Sequence, residues 1–354
     1  MRIAIEAAAL AMTSGGLARY TEQLSLALAR TFPQDAYALV SDQAFRLPQD
    51  APPNLQRAEG PRNALERRWW LWGCEQAAGR WGAEVIHGPD FAVPYLARRP
   101  SVMTVHDLSP WMDAAWHGAA ERVRRRTPWL LRSERAAMVI TPAESVRRQV
   151  LERWRLAPER VVAIAEAPAP WLAPVGTAGE PAGRAPYFLF LGTLEPRKNL
   201  ETLVAAWRVV RRSREVDLVL AGRRRGDGPI FASEPGLQLA GEVADGLLSE
   251  LYSGTVALVY PSHYEGFGLP VVEAMQCGAP VIASRAVAEA AGDAACYFDE
   301  ANELAEAMRR MANDPEWRAG WREKSLRRAA EFSWERAARR TREVYGEAIE
   351  RFGK

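Results

Sequence analysis

A chain of 354 residues is long enough to bury two domains of ordinary size. At 48% hydrophobic and 25% charged residues it has a globular composition, and the absence of any apolar run of membrane-spanning length excludes a helical membrane protein. A formal net charge of +2 excludes a general affinity for nucleic acid, and three scattered cysteines (Cys74, Cys277, Cys296) exclude a disulfide framework or a cysteine metal cluster.

Residues 2–7 read as a strand with no signal-peptide layout before it, which predicts a cytoplasmic protein. A glycine turn, Ser14-Gly15-Gly16, leads into an amphipathic helix over 17–31, followed by a strand over 37–41. A helix over 65–81 precedes strands at 85–87 and 102–107, the second of which carries His106 and Asp107 at its end. A basic helix over 119–136, a strand at 138–141, a helix over 142–154 and a strand at 161–165 complete a first α/β series.

Residues 166–186 carry five prolines and read as an interdomain linker. A second series follows, with strands at 187–191, 217–221, 256–260 and 281–283. Its helices are predicted at 200–212, 246–253, 270–277 and 301–313, and a long tail helix at 333–352. The pattern predicts an α/β protein of two doubly wound domains, residues 1–170 and 171–333, with a tail helix over 334–354.

Two motifs carry chemistry. The first is Gly192-Thr193-Leu194-Glu195-Pro196-Arg197-Lys198-Asn199, between a strand and a helix. Lysine is scarce here (Lys198, Lys324 and Lys354 against 46 basic residues in all), so Lys198 stands out. Two adjacent cations at a helix start can neutralise a diphosphate, Arg by a planar two-point grip and Lys as a point charge. The plainer reading is a solvated cationic turn. The second motif is Glu265-Gly266-Phe267-Gly268-Leu269-Pro270, followed by Val271, Val272 and Glu273. Glu265 lies just past a strand; the glycines allow close backbone approach; Pro270 opens a helix with Glu273 in its first turn. A helix start attracts anions and two carboxylates can grip hydroxyls, so the segment suits a ligand with phosphates and hydroxyls, such as a nucleotide sugar. The plainer reading is a pair of solvated helix-end charges.

The string from Glu265 to Ser284 resembles the Glu-x7-Glu signature of retaining GT-B glycosyltransferases, the group of glycogen-synthase-like enzymes and bacterial mannosyltransferases. The resemblance implies a GT-B fold, two Rossmann-like domains facing across a cleft, with the tail helix packed back on the acceptor-side first domain. It implies that Arg197 and Lys198 bind the donor diphosphate and assist departure of the nucleoside diphosphate. Glu265 would face the donor sugar, Glu273 the ribose, and His106 would contact the donor sugar. Gly15 and Gly16 would lie against the donor phosphate and the acceptor, and Gly192, Gly266, Phe267, Gly268 and Leu269 would belong to the donor site. His87 reads as acceptor-side or structural. The loop before Glu289 is shorter than the family's, which puts that residue's role in doubt.

No Asp-x-Asp motif occurs, so with two cations and a helix dipole available the expectation is transfer without a metal or other cofactor. No residue is placed as a double-displacement nucleophile, which favours front-face attack. The Gly192–Asn199 variant looks like mannosyl- and rhamnosyltransferases, implying a GDP-linked donor and a glycan or lipid-linked acceptor. Competing readings are a non-hydrolysing nucleotide-sugar epimerase and a non-catalytic nucleotide-sugar binding module.

Residues 62–81 mix Arg62, Arg67, Arg68 and Arg80 with Trp69, Trp70, Trp72 and Trp81, and 121–135 carry six arginines (122, 124, 125, 126, 132, 135). Either these are ordinary helices with Trp in the core, or they form a surface for anionic lipid at the inner face of the membrane.

Overall fold

The computed structural model describes residues 1–12, 15–113, 116, 120–176 and 185–352; Ser14, the expected start of the basic helix at 119 and much of the linker lie outside them. Two compact units result. The first comprises Met1–Glu166 and Ser333–Lys354, the second Ala167–Phe332.

The first domain is a seven-stranded parallel sheet in the order β3-β2-β1-β4-β5-β6-β7. Its strands are β1 (Arg2–Glu6), β2 (Ala36–Val40), β3 (Leu55–Arg57), β4 (Val85–Gly88), β5 (Ser101–Thr104), β6 (Met138–Thr141) and β7 (Val161–Ala163). Apart from the edge strand β3, whose Gln56 and Arg57 are exposed, they are short, largely apolar runs mostly buried on both faces, as covered parallel sheets require. The helices α1 (Gly16–Thr31), α2 (Cys74–Trp81), α3 (Ser109–Met112), α4 (Glu121–Arg132) and α5 (Glu144–Trp154) connect them.

The expected helix over 65–81 is shorter than its periodicity suggests. Residues 65–68 form turns, Trp69–Gly73 is a π-helical turn, and only then does α2 begin. Gly73 is needed there, because a Cβ would lie 1.8 Å from the Glu66 carbonyl oxygen. The strand expected over 102–107 ends at Thr104, which leaves His106 in the following loop. The short strand β3 and the four-residue α3 carry too little pattern to be read in advance.

The tail helix, α12 (Trp334–Phe352) in chain order, belongs to the first domain. It buries Trp334, Ala338, Val344 and Tyr345, and Arg342 pairs with the buried Asp35. A buried polar chain ties it to the sheet. The Tyr345 hydroxyl is 2.8 Å from His87 Nδ1, His87 Nε2 is 2.8 Å from Thr104 Oγ1, and the Tyr20 hydroxyl is 3.0 Å from the same Oγ1. Burial, with the nearby His106 charge, pushes the His87 pKa down to about 3, so the ring is neutral and structural. The alternative role for His87 in acceptor binding is thereby corrected: both ring nitrogens are used inside the core.

The second domain is a six-stranded parallel sheet in the order β10-β9-β8-β11-β12-β13. The strands are β8 (Tyr187–Leu191), β9 (Asp217–Ala221), β10 (Leu237–Gly241), β11 (Ala257–Tyr260), β12 (Val281–Ala283) and β13 (Ala295–Tyr297). Helices α6 (Leu200–Arg211), α7 (Asp245–Ser253), α8 (Leu269–Gln276), α9 (Ala288–Ala291), α10 (Ala301–Asn313) and α11 (Pro315–Ala329) pack around it. Strands β10 and β13 and helix α11 are absent from the sequence reading. The edge strand β10 is mostly exposed, and α11 has little contrast between its faces.

The loops after β8 and β9 pack backbone on backbone. Gly222 sits at φ +131°, and a Cβ there would lie 2.0 Å from the Gly192 carbonyl oxygen. Gly222→Ala is expected to lower stability by about 2 kcal/mol or more through strain and displacement of this contact. Chemical denaturation checks it; an unchanged midpoint would mean the two loops are not packed this way.

Candidate functional site

In the second sheet the strand order reverses between β8 and β11, the position at which open α/β sheets bind ligands beyond the carboxyl ends of their strands. Both chemical motifs follow these two strands. A short 3-10 turn, Pro196–Lys198, precedes α6, and Asn199 at φ +53° redirects the chain. The loop after β11 runs through Glu265 to Gly268 at φ +100°, where a Cβ would lie 2.7 Å from Val287 Cγ1. Gly268 therefore needs to be glycine. Gly266 is not among the positive-φ residues, so the same argument does not extend to it.

Arg197 and Lys198 are not a solvated turn. They are 8% and 5% exposed and stand in a network of alternating charge. Lys198 Nζ donates to Glu265 Oε1 at 2.6 Å and to the Tyr260 hydroxyl at 3.1 Å. Arg197 Nη1 donates to the Tyr264 carbonyl at 2.8 Å and to Glu265 Oε2 at 3.2 Å. Arg197 Nε and Nη2 both reach Glu195 Oε1, at 3.1 and 2.7 Å. The other Glu195 oxygen accepts from Arg225, which also pairs with Asp227. Glu195 and Arg225 are members that the sequence reading did not single out. The one signal was their chemistry: a carboxylate two residues before the cation pair, and an Arg-Arg-Arg run just past β9.

Burial opposes ionisation of Glu265, but Lys198 and Arg197 outweigh it and hold the carboxyl below its usual range. Burial lowers the Lys198 pKa, partly offset by Glu265, so its proton is held less tightly than on an ordinary lysine. The network thus offers an anionic ligand two desolvated cations already fixed in place.

Glu273 lies elsewhere. It is the fifth residue of α8, beyond the first turn expected for it, and is fully buried, accepting from the Tyr252 hydroxyl at 3.0 Å. Phe267 and Leu269 are buried, with Phe267 edge-on to Phe332 at 5.5 Å. Glu289 is exposed on α9. Among the described residues no group of three His, Cys, Asp or Glu side chains could hold a metal ion.

The remaining predicted residues belong to the first domain. Gly15 at φ +121° caps α1, and a Cβ on Gly16 would meet nothing within 4 Å. His106 Nε2 donates to the Pro89 carbonyl at 2.8 Å, and its Nδ1 is 3.1 Å from Glu166 Oε1. Each ring nitrogen thus faces a hydrogen-bond acceptor. Burial would lower its pKa, but Glu166, Asp90 and the Pro89 carbonyl raise it above the ordinary value.

The Trp- and Arg-rich segments are only partly surface. Trp69 is buried and donates to Glu6 Oε1 at 3.2 Å, while Trp70 and Trp72 lie under the Arg126 and Arg98 guanidiniums. Arg124 Nε donates to the Pro110 carbonyl. The large apolar side chains of these segments that face solvent are Leu65, Leu71 and Trp129. No helix among the described residues is long and apolar enough to cross a membrane.

Two parallel α/β sheets, one bearing a buried cation–carboxylate cluster at its reversal point, define a GT-B protein. The fold is matched by sucrose-phosphate synthase from Thermosynechococcus elongatus (TM-score 0.72, 22% identity, 98% of each chain). It is matched also by WaaG, a glycosyltransferase involved in lipopolysaccharide biosynthesis (TM-score 0.71, 14% identity, 98% of this chain and 99% of that one). Residues 185–314 match the profile "Glycosyl transferases group 1" and residues 14–166 the profile "Glycosyltransferase Family 4". O-antigen chain mannosyltransferase B of Escherichia coli is 30% identical over 284 residues, 74% of this chain and 74% of that protein. The MMP alpha-(1->4)-mannosyltransferase of Mycolicibacterium hassiacum is 36% identical over 171 residues, 44% of this chain and 41% of that protein. The chain belongs to the group 1, family 4 glycosyltransferases.

Proposed function

We propose that the protein is a retaining, metal-independent mannosyltransferase of cell-surface polysaccharide synthesis, using a GDP-linked donor and a glycan or lipid-linked acceptor on the cytoplasmic side. The observation that carries this reading is the Arg197–Lys198–Glu265 cluster at the ends of β8 and β11, in a chain similar to an O-antigen mannosyltransferase. The same similarity favours transfer over the epimerase and binding-module readings.

Lys198 and Arg197 would receive the diphosphate. They stabilise the leaving nucleoside diphosphate as the anomeric carbon gains oxocarbenium character, with the acceptor attacking from the same face. Glu265 orients both cations in the free protein and would turn to the donor sugar. Glu273, buried beside Tyr252, needs a local rearrangement to reach a ribose. The roles proposed for His106, Gly15 and Gly16 toward the donor rest on the family resemblance.

GDP release from GDP-mannose should depend on an α-mannosylated acceptor, should proceed equally in excess chelator and in added magnesium, and should yield an α-linked product by NMR. A β-linked product would remove the retaining assignment. Activity lost on chelation and restored by a divalent cation would remove the metal-independent one.

Peripheral membrane contact through the first domain belongs to the same reading. It rests on Leu65, Leu71 and the half-exposed Trp129 alongside the outward-facing Arg122 and Arg125. Each arginine near an anionic surface contributes about 1 kcal/mol. The protein is expected to sediment with anionic vesicles at low salt, and Arg122→Glu with Arg125→Glu to abolish this. Equal recovery in the supernatant with anionic and neutral vesicles would disprove the contact.

A further inference from the structure

Two histidines of the first domain are handled in opposite ways. His87, on β4, is fully buried between the Tyr345 hydroxyl and Thr104 Oγ1. His106, just past the end of β5, keeps 20% of its side chain exposed, and its partner is the carboxylate of Glu166. Glu166 is itself buried. A buried carboxylate is costly unless it is paired, and no step of the donor chemistry above uses this one.

The two bonds to the ring fix where its hydrogens lie. The Pro89 carbonyl only accepts, so His106 Nε2, 2.8 Å away, carries hydrogen. On the other side Nδ1 and Glu166 Oε1 stand 3.1 Å apart with one proton to share. Whichever of the two holds that proton, Nε2 remains an N–H. Without Glu166, a neutral ring is free to place its single hydrogen on either nitrogen. The groups facing the ring are Glu166 from the segment after β7, Asp90 from the loop after β4, His87 from β4 and Tyr20 from α1. Burial disfavours the ring's charged form, and Glu166, then Asp90, more than offset it.

The surroundings are suited to holding a ring still. Tyr20 is edge-on to His106 with ring centroids 4.7 Å apart, and its hydroxyl is 3.0 Å from Thr104 Oγ1. Trp334, the first residue of α12, is edge-on to Tyr20 at 6.0 Å. Glu166 and Trp334 flank the two points at which the chain leaves and re-enters the first unit. The backbone is tied on both sides of Glu166. The Ile164 amide donates to the Thr141 carbonyl at 2.8 Å. Gln276 Nε2, at the end of α8, donates to the Ala169 and Leu172 carbonyls at 2.9 and 2.6 Å. The carboxylate is thus carried by a strapped segment, as a group that must hold another in place requires.

We propose that Glu166 is a positioning residue for sugar transfer: it holds the His106 ring through Nδ1 so that the Nε2 N–H is presented to an oxygen of the donor sugar. In the free protein the Pro89 carbonyl occupies that N–H. The proposal rests on the reading of His106 as a donor-sugar contact and adds the residue that sets this contact. Glu166 touches neither sugar nor diphosphate and acts through the ring.

With four histidines in the chain, the ring is readable by NMR, its signals assigned by their loss in His106→Gln. In wild type at neutral pH, long-range proton–nitrogen spectra should show hydrogen on Nε2, and the ring should titrate above the ordinary histidine value. Glu166→Ala should mix the two tautomers and lower the ring pKa. Glu166→Gln, whose amide can donate to Nδ1, should also titrate lower yet keep hydrogen on Nε2. Transfer from GDP-mannose to an α-mannoside should follow the tautomer, with kcat down about 10–100-fold in Glu166→Ala and within about fivefold of wild type in Glu166→Gln. GDP affinity by calorimetry should be unchanged, and the unfolding midpoint reports that each variant is folded. A wild-type ring with hydrogen on Nδ1 alone would overturn the proposal without any variant. So would an unaltered tautomer in Glu166→Ala, an equal loss of kcat in Glu166→Gln, or a loss of GDP affinity in step with kcat. Wild-type kcat in His106→Gln would remove the donor-sugar reading of His106 on which the proposal rests. A loss in His106→Gln with none in Glu166→Ala would remove the positioning role alone.

Discussion

Lys198→Ala should slow transfer by about 10²–10³ at saturating donor, the usual cost of deleting one preorganised group that stabilises developing charge. The side chain is buried, with Nζ held by Glu265 and the Tyr260 hydroxyl, so the charge is already desolvated and needs no reorganisation as the diphosphate departs. The same burial means that the substitution is felt by the fold. Glu265 is left with Arg197 as its cation, which is expected to cost on the order of 1–3 kcal/mol. Turnover and unfolding midpoint are therefore measured together, below the variant's transition. Since burial lowers the Lys198 pKa, wild-type activity should fall on the alkaline side before an ordinary lysine would titrate. Unchanged turnover in a folded variant would remove Lys198 from the mechanism.

Glu195→Ala should produce the largest loss of stability, about 3–5 kcal/mol, the range for breaking a buried ion pair by removing one partner. Its carboxylate receives Arg197 through two nitrogens and Arg225 through a third. Without it, the buried Arg197 keeps only the Tyr264 carbonyl and Glu265 among these acceptors. Activity should fall as well, because Arg197 would no longer be held where it grips the loop carrying Glu265. Glu195→Gln, which retains an acceptor oxygen without the charge, should fall between. An unfolding free energy for Glu195→Ala within about 0.5 kcal/mol of wild type, the scale of an indifferent surface change, would show that the network is not a structural unit.

These two residues mark where reading the sequence stopped. The sequence picked out Arg197 and Lys198 as a diphosphate-binding pair, with a solvated turn as the plainer alternative, but carried no sign that they are buried, because cations are normally exposed unless paired. What buries Arg197 and Lys198 is Glu265, brought from a distant loop by the adjacency of β8 and β11. Glu195, two residues upstream, had no visible partner until Arg225 arrived from the loop after β9.

The sequence by itself determined the α/β alternation, the strands of both sheets that are long or uniformly apolar, and the cations and carboxylates that stand at the ends of β8 and β11. Those features are local: apolar runs bounded by turns, glycines whose φ is positive, and cations and carboxylates at strand ends. Tertiary structure alone decided the rest. Short β3, exposed β10 and low-contrast α11 carry little periodic signal, and form because a neighbouring strand or helix completes them. The return of α12 to the first domain depends on Tyr345 finding His87 across most of the chain. The neutrality of His87 and the raised pKa of His106 depend on burial and on partners distant in sequence. Periodicity reports which face of an element is apolar; it is silent on which distant charge will neutralise a buried one, since that is set only when the strands are in order.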